Sequence, residues 1–422
     1  MERRRRGLSI TRLKNTNFDR LYKRLITGES ISEEEYRKLL ALAVLFINDA
    51  DSNINKLGYR IIVLYSNRTN DYKPLYDIAI NKGLYPIVKS IERIEKYNER
   101  IENSFFKLFQ SAFIDNYKKN DVYLTEQQNN LIDFYKEKEN ETVSIVAPTS
   151  YGKSSLILST IEGRKSENIC IIVPSKALIA QTKKRLLQSG LKNIDKIITH
   201  PEMYLESDKN IVAILTQERL LKLLKIDDKL KFDIVIVDEA HNLLEKDQRN
   251  ILLASSLSIL EKRNSDVKFR FLTPFLVDSS NLSVRYTEYS IESFNVTEYL
   301  KTELIYICDF RKGKEPNLKL YDQFLNEFYS INQTEFKSDV DLIIKNSSEK
   351  NIIYLNKPKD IEEFLSKFIS QLNDVTSNRI DKACKSIGEI LDPNYLLIDS
   401  LRKGVVYHHG YVPDNIKLYI EE

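Results

Sequence analysis

The chain has 422 residues, 42% hydrophobic and 30% charged, with 64 Lys/Arg against 61 Asp/Glu. That length calls for two or three domains, and that balance excludes a disordered chain. The longest clean apolar run, 39–47, is far short of the roughly 20 residues that span a bilayer, and the arginines at 3–6 lead into polar sequence rather than the apolar core of a signal peptide. Three scattered cysteines, Cys170, Cys308 and Cys384, suggest neither a disulfide framework nor a zinc site, so a cytoplasmic protein with no membrane contact is expected.

Charge is unevenly spread. Residues 1–120 hold 23 basic and 15 acidic side chains, a net of +8, and the remainder holds 41 and 46, a net of −5. Such a basic third could lie along a phosphate backbone or form a solvated helical surface. It reads as an all-α domain over 1–120. Ser32-Glu33-Glu34-Glu35 opens a helix as a capping box, and Leu39, Leu40, Ala43, Val44 and Ile47 follow at helical spacing.

From 121 the texture changes. Short Val/Ile-rich runs at 142–147, 169–173, 211–215, 234–237 and 269–273 alternate with helical stretches at 153–162 and 178–188. This is the pattern of a parallel α/β sheet buried on both faces. A first sheet domain is expected over 121–300, a connector over 301–345, and a partial second sheet domain over 346–422, entered at Asn351-Ile352-Ile353-Tyr354-Leu355.

Two motifs carry chemistry. Ala147-Pro148-Thr149-Ser150-Tyr151-Gly152-Lys153-Ser154 follows the first strand and precedes a helix, the setting in which backbone amides and a helix N-terminus meet phosphates. Gly152 permits close backbone approach and Lys153 neutralises the β- and γ-phosphates. The Ser154 hydroxyl is placed for Mg²⁺, and Pro148, Thr149, Ser150, Tyr151 and Ser155 complete an expected ATP site. The second motif is Asp238-Glu239-Ala240-His241, at the end of the apolar run 234–237. There Asp238 is expected to hold Mg²⁺, Glu239 to polarise the attacking water, and His241 to link the site to the other half of an enzyme. Adjacent His408 and His409 point in different directions and lack Cys/His partners nearby, so no metal site is read there.

In order and spacing these blocks resemble the superfamily-two DEAD/DEAH-box helicases, and within them the Ski-type branch. The loop at 147–154 resembles motif I and the acidic box motif II. Val173-Pro174-Ser175-Lys176-Ala177-Leu178-Ile179-Ala180-Gln181 resembles motif Ia, and Thr216-Gln217-Glu218-Arg219-Leu220 the next strand-contacting motif. The resemblance implies that Pro174, Ser175, Lys176, Gln181, Thr216, Gln217, Glu218 and Arg219 contact the backbone of a DNA or RNA strand. Leu124-Thr125-Glu126-Gln127-Gln128 resembles the adenine-reading segment, with Gln128 as reader, and Gly404-Val405-Val406-Tyr407-His408-His409-Gly410 resembles part of a second RecA-like domain.

Two departures stand out. Thr273-Pro274-Phe275 replaces the usual Ser-Ala-Thr, and the Gln/Arg-rich motif that supplies an arginine finger is not among the 422 residues, so the chain reads as a fragment whose own hydrolysis is slow. The implied function is an ATP-dependent helicase or translocase. The resemblance, taken with the helical extension, implies a prokaryotic anti-phage defence helicase such as the Hachiman type, with its separate nuclease subunit. The alternative is a nucleotide-gated, nucleic-acid-binding scaffold for that nuclease.

Overall fold

The computed structural model describes residues 9–94, 105–119, 121–149, 151–164, 167–191, 194–284, 287–311, 316–331 and 336–421. The arginines at 3–6 and Ser150 lie outside them. The chain forms two compact units, Gly58–Thr302 and the pair Met1–Leu57 with Glu303–Glu422. No helix among the described residues is long and apolar enough to cross a membrane.

The N-terminal segment is helical. It comprises α1 Asn17–Thr27, α2 Glu33–Ile47, α3 Ser52–Thr69, α4 Lys73–Asn81, α5 Tyr85–Glu92 and α6 Phe105–Asp115, and the division between units falls inside α3. The capping box at α2 forms as read: the Glu35 N–H donates to Ser32 Oγ at 3.4 Å, and the Ser32 N–H donates to Glu35 Oε2 at 2.9 Å.

In the unit Gly58–Thr302 the strands are β1 Val143–Val146, β2 Ile169–Ile172, β3 Lys196–Ile198, β4 Ile211–Leu215, β5 Ile234–Asp238, β6 Lys268–Thr273 and β7 Glu292–Asn295. They form one sheet in the order β3-β4-β2-β5-β6-β1-β7, with every neighbour parallel. One strand, β6, separates the phosphate-loop strand β1 from the acidic-box strand β5, and this gives the sheet its RecA-like character. Helices α7 Glu126–Glu137, α8 Lys153–Glu162 and α9 Lys176–Gln188 cover one face, where Ile145, Ile171, Ile214 and Ile236 meet Leu131, Leu156 and Ile179. Helices α10 Gln217–Ile226 and α11 Gln248–Arg263 cover the other, where Ile172, Ala213, Val235 and Phe271 meet Leu220 and Leu257. Alternate residues of each strand serve opposite layers, which is why these runs are apolar throughout.

Buried Arg270 fixes where β1 begins. From β6 its guanidinium donates to the carbonyls of Lys138, Glu139 and Glu141 in the loop after α7, at 2.5–3.0 Å. It also lies 5.2 Å from the Tyr135 ring centroid. A buried guanidinium needs such partners, and here they anchor the strand that delivers the phosphate loop.

The other unit holds a three-stranded antiparallel sheet, β8 Ile305–Cys308, β9 Leu318–Asp322 and β10 Glu327–Ser330. Buried Tyr22 of α1 donates its hydroxyl to Asp322 Oδ2 at 2.8 Å, and Asp322 Oδ1 accepts the N–H groups of Phe324 and Leu325. After it come α12 Asp339–Asn346, α13 Pro358–Ile369, α14 Asn378–Ile390, α15 Leu396–Arg402 and α16 Asp414–Glu421. A small core of Leu365, Ile387, Leu397, Tyr407 and Val412 holds the last four together. The apolar runs at 351–355 and 404–407 pair in no ladder among the described residues. An apolar run becomes a buried strand only with strand neighbours to bond its backbone, and Ile352 and Tyr354 are exposed, at 98% and 84%. His409 is buried. Its Nδ1 accepts the Tyr411 N–H at 3.3 Å, and its Nε2 lies 3.4 Å from Glu362 Oε1 but outside hydrogen-bond geometry.

Candidate active site

Parallel strands bring their carboxyl ends to one edge, and three adjacent ones carry the chemistry. Val146 of β1 lies beside Thr273 of β6, and Leu272 of β6 beside Asp238 of β5. The Ala147 N–H extends the ladder by donating to the Thr273 carbonyl at 3.0 Å. The phosphate loop, the acidic box and the Thr273-Pro274-Phe275 segment therefore leave the sheet side by side.

Gly152 has φ 104°, a conformation that a side chain would strain, and a Cβ built there would meet nothing within 4 Å. The space at Gly152 is open, and Gly152 is the N-cap of α8, with no side chain capping the helix start. Half-buried Lys153 donates from Nζ to the Ala147 carbonyl at 2.8 Å, across its own loop. Burial lowers its pKa, opposed by the carboxylates of Glu239 and Asp238. Pro148, Thr149, Gly152 and Ser155 are exposed, and Ser154 is half-buried.

Asp238 Oδ1 accepts the Glu239 N–H at 3.1 Å. Burial first, then the neighbouring Glu239 carboxylate, push its carboxyl above the usual aspartate range, against the charges of Lys153 and Arg185. Glu239 has φ 54° and ψ 47°, a left-handed conformation costing an L-residue about 1–2 kcal/mol. It turns the chain from β5 into a short 3₁₀ turn, Ala240–Leu244. Glu239 Oε2 and Thr273 Oγ1 lie 3.4 and 3.5 Å from His241 Nδ1. The Thr273 hydroxyl donates to the Phe275 carbonyl at 3.0 Å, leaving its lone pairs toward the imidazole, whose ring lies 4.7 Å from that of Phe275. His241 thus joins the acidic box to the segment after β6.

Gln128 is placed on the loop. Its Oε1 accepts the Thr125 N–H at 2.9 Å, closing a capping box at the start of α7, and its Nε2 donates to the Tyr151 carbonyl at 3.3 Å. Gln127 Oε1 accepts the N–H groups of Thr297 and Glu298. Two residues outside the sequence reading enter here. The first is Glu298, whose Oε2 accepts the hydroxyls of Thr125 and Tyr151 at 2.7 and 2.8 Å. The Thr-x-x-Gln spacing made the cap at Thr125 legible, whereas no local pattern marks Glu298.

The residues expected to contact a strand divide. Ser175, Lys176 and Gln181 are exposed on α9, with Ser175 as its N-cap, while Thr216 and Gln217 are buried. Arg219 Nη1 donates to the Thr199 carbonyl at 2.7 Å. Glu218 and Pro174 are joined by the second residue without a sequence signal, Arg249 of α11. Its Nε donates to Glu218 Oε1 at 2.6 Å and its Nη2 to the Pro174 carbonyl at 2.9 Å.

Residues 91–271 match the family model of the type III restriction enzyme res subunit. The chain is 27% identical over 256 residues to anti-bacteriophage protein B of Escherichia coli K12, covering 57% of this chain and 32% of that protein. It is 22% identical over 327 residues to the ATP-dependent DNA helicase Hel308 of Thermoplasma volcanium, covering 74% of this chain and 44% of that one. It therefore spans less than half the length of these curated relatives. Among solved structures, a hypothetical ATP-dependent RNA helicase from Sulfolobus tokodaii gives a TM-score of 0.31 at 18% identity, covering 45% of this chain and 57% of that one. The Pyrococcus furiosus Hef helicase domain gives 0.30 at 16%, covering 40% and 39%. The fold assignment rests on the strand order rather than on these two scores.

Proposed function

With a helicase-type domain as the premise, we propose that this chain binds and hydrolyses ATP at the 147–155 loop and couples it to movement along, or separation of, nucleic-acid strands. The observation that carries the reading is the convergence of Lys153, Asp238 and Glu239 at the ends of two strands with only β6 between them, beside the open space at Gly152. Lys153, held by one carbonyl, is free to exchange it for phosphate oxygens at little cost. The loop amides and the α8 N-terminus add positive potential where phosphate charge lies. Glu239 would accept a proton from the attacking water, its backbone locked so that the carboxylate needs no search.

A divalent cation fits the donor set: Asp238 is a half-buried carboxylate with one oxygen on the Glu239 N–H, and Ser154 offers a half-buried hydroxyl in the first turn of α8. These two would hold Mg²⁺, whose charge offsets that of the phosphates when bound. Gln128, already on the Tyr151 carbonyl, is the proposed adenine reader. Ser175, Lys176, Gln181, Arg219 and the Pro174–Glu218 pair form the proposed strand-contacting edge.

Likeness to an anti-bacteriophage protein supports a role in phage defence, and a nuclease partner is part of the same proposal. The Ski-type, DEAH and Hachiman assignments belong to the same proposal, as does slow hydrolysis by these residues alone. One observation favours the scaffold alternative: the Thr273 hydroxyl is committed to the Phe275 carbonyl, so the segment that couples hydrolysis to unwinding in the resembled family is altered here. ATPase and strand-separation assays on tailed duplexes distinguish the readings. Stimulated hydrolysis with unwinding supports the helicase, and binding without either supports the scaffold.

A further inference from the structure

The phosphate loop has a support that none of its own residues provides. Tyr151 precedes Gly152 and Lys153, yet its side chain turns inward and is only 7% exposed. Its hydroxyl ends 2.8 Å from Glu298 Oε2, the oxygen that also takes the Thr125 hydroxyl at 2.7 Å. Thr125 Oγ1 meanwhile accepts the Gln128 N–H at 3.1 Å, so its single proton is left for Glu298. Tyr151 and Thr125 lie 3.3 Å apart, and both protons are accounted for on one carboxylate oxygen. The other, Glu298 Oε1, is buried without a hydrogen-bond partner among the described residues.

We infer that Glu298 is a positioning residue for the nucleotide site: through the hydroxyls of Tyr151 and Thr125 it holds the phosphate loop and the adenine-reading helix start in one fixed relation. Three segments distant in sequence, 125–128, 151–153 and 297–298, meet at this carboxylate. A tyrosine in a glycine-bearing loop needs such an anchor, because loop backbone otherwise moves freely and each conformer lost on ATP binding lowers affinity. A carboxylate suits the place: it accepts two hydroxyl protons at once, and charge-assisted bonds of this kind are roughly twice as strong as neutral ones. Burial raises the Glu298 pKa, and the two hydroxyls oppose it. The inference rests on the reading that this loop binds nucleotide phosphates.

The test is titration of Mg²⁺-ATP and of a fluorescent ADP into the 422-residue protein, with KM and kcat for hydrolysis measured alongside. Glu298→Ala and the near-isosteric Tyr151→Phe should each weaken nucleotide binding about tenfold. KM should rise more than kcat falls, because the loop is mispositioned while Lys153 and Glu239 remain. The double variant should be no worse than the weaker single, since both break one link, and Glu298→Gln should recover most of the affinity by still accepting a hydroxyl. Lys153→Ala serves as the control for the reading beneath. If Lys153→Ala weakens binding while both Tyr151→Phe and Glu298→Ala bind as the parent, the loop binds nucleotide and Glu298 has no part in it. Additive losses in the double variant, or equal losses of stability and affinity with no rescue by glutamine, overturn the inference in the same way. Normal nucleotide binding by Lys153→Ala would instead remove the nucleotide reading itself.

Discussion

Two stretches of the same sheet edge are built in opposite ways. Around the phosphate loop the groups are poised: Lys153 rests on a single carbonyl, Asp238 is half-buried beside another carboxylate, and Glu239 is held in a left-handed backbone. Along the proposed strand-contacting edge the polar groups satisfy one another. Arg249 bridges Glu218 and Pro174, Arg219 is tied to Thr199, and Thr216 and Gln217 are buried. The first arrangement stores unfavourable electrostatics and backbone strain that a ligand can relieve. The second is already at rest, so a strand that binds there must displace internal bonds, and affinity should depend on how easily they open.

The largest effect should come from the poised end. Lys153→Ala should abolish hydrolysis and weaken Mg²⁺-ATP binding while thermal unfolding stays unchanged, because a half-buried loop lysine contributes little to the fold. Parent-like hydrolysis by this variant would sink the phosphate-loop reading. Glu239→Gln separates binding from chemistry: it keeps volume and hydrogen bonding but loses the base. ATP should still bind, while single-turnover hydrolysis slows about 10²-fold or more. An unchanged rate would leave Glu239 no part in activating water.

Legibility in the sequence followed burial. Strands β1, β2, β4, β5 and β6 are apolar runs covered on both faces, and each could be read within a residue or two of its ends. Edge strands β3 and β7 could not: Lys196–Ile198 is short, and Glu-Ser-Phe-Asn is mostly exposed, with one partner and no apolar run. The antiparallel strands at 305–330 failed the same test, since Ile305, Tyr306 and Ile307 are exposed. Residues whose chemistry lies in a local turn, such as Gly152, Lys153, Asp238 and Glu239, were visible from spacing. Glu298 and Arg249 act across gaps of 147 and 31 residues, and such distances leave no pattern in a single sequence.

The resting end can be tested with a pair of variants of opposite expected sign. Glu218→Ala removes a carboxylate facing the proposed phosphate backbone and frees the Arg249 guanidinium. Single-strand binding should tighten several-fold, with a steeper salt dependence. Arg249→Ala removes the guanidinium and should weaken it by a similar factor. Fluorescence anisotropy across a salt series reads both. If both variants weaken binding alike, the pair is a strut for the two loops and no strand displaces it.

Asp238 gives a smaller effect with a fixed sign. Its folded pKa lies above the ordinary 3.8, so in the ligand-free protein it keeps its proton to higher pH than in the unfolded chain. Stability from this group is therefore full below 3.8 and declines as pH rises through the folded value. A cation must displace that proton, so Mg²⁺ should stabilise the protein less as pH falls into this window. Unfolding midpoints against pH, with and without Mg²⁺, should show both trends, and Asp238→Asn should remove them. A midpoint that instead rises with pH in the parent but not in the asparagine variant would contradict a raised Asp238 pKa.

The smallest effect concerns the strain at Glu239, where two variants without the carboxylate differ only in a Cβ. Alanine keeps the left-handed penalty of about 1–2 kcal/mol, and glycine escapes it. Glycine also enlarges the conformational freedom of the unfolded chain, which costs about 0.5–1 kcal/mol in an ordinary helix or strand. Were Glu239 relaxed, Glu239→Gly would be the less stable of the two by that amount. With φ at 54° the order should vanish or reverse, and denaturant midpoints at a common slope resolve the difference. Both variants should lack hydrolysis. A glycine variant as stable as the alanine one, or more so, would show that the backbone at Glu239 is strained, and one less stable by the ordinary glycine cost would show that it is not.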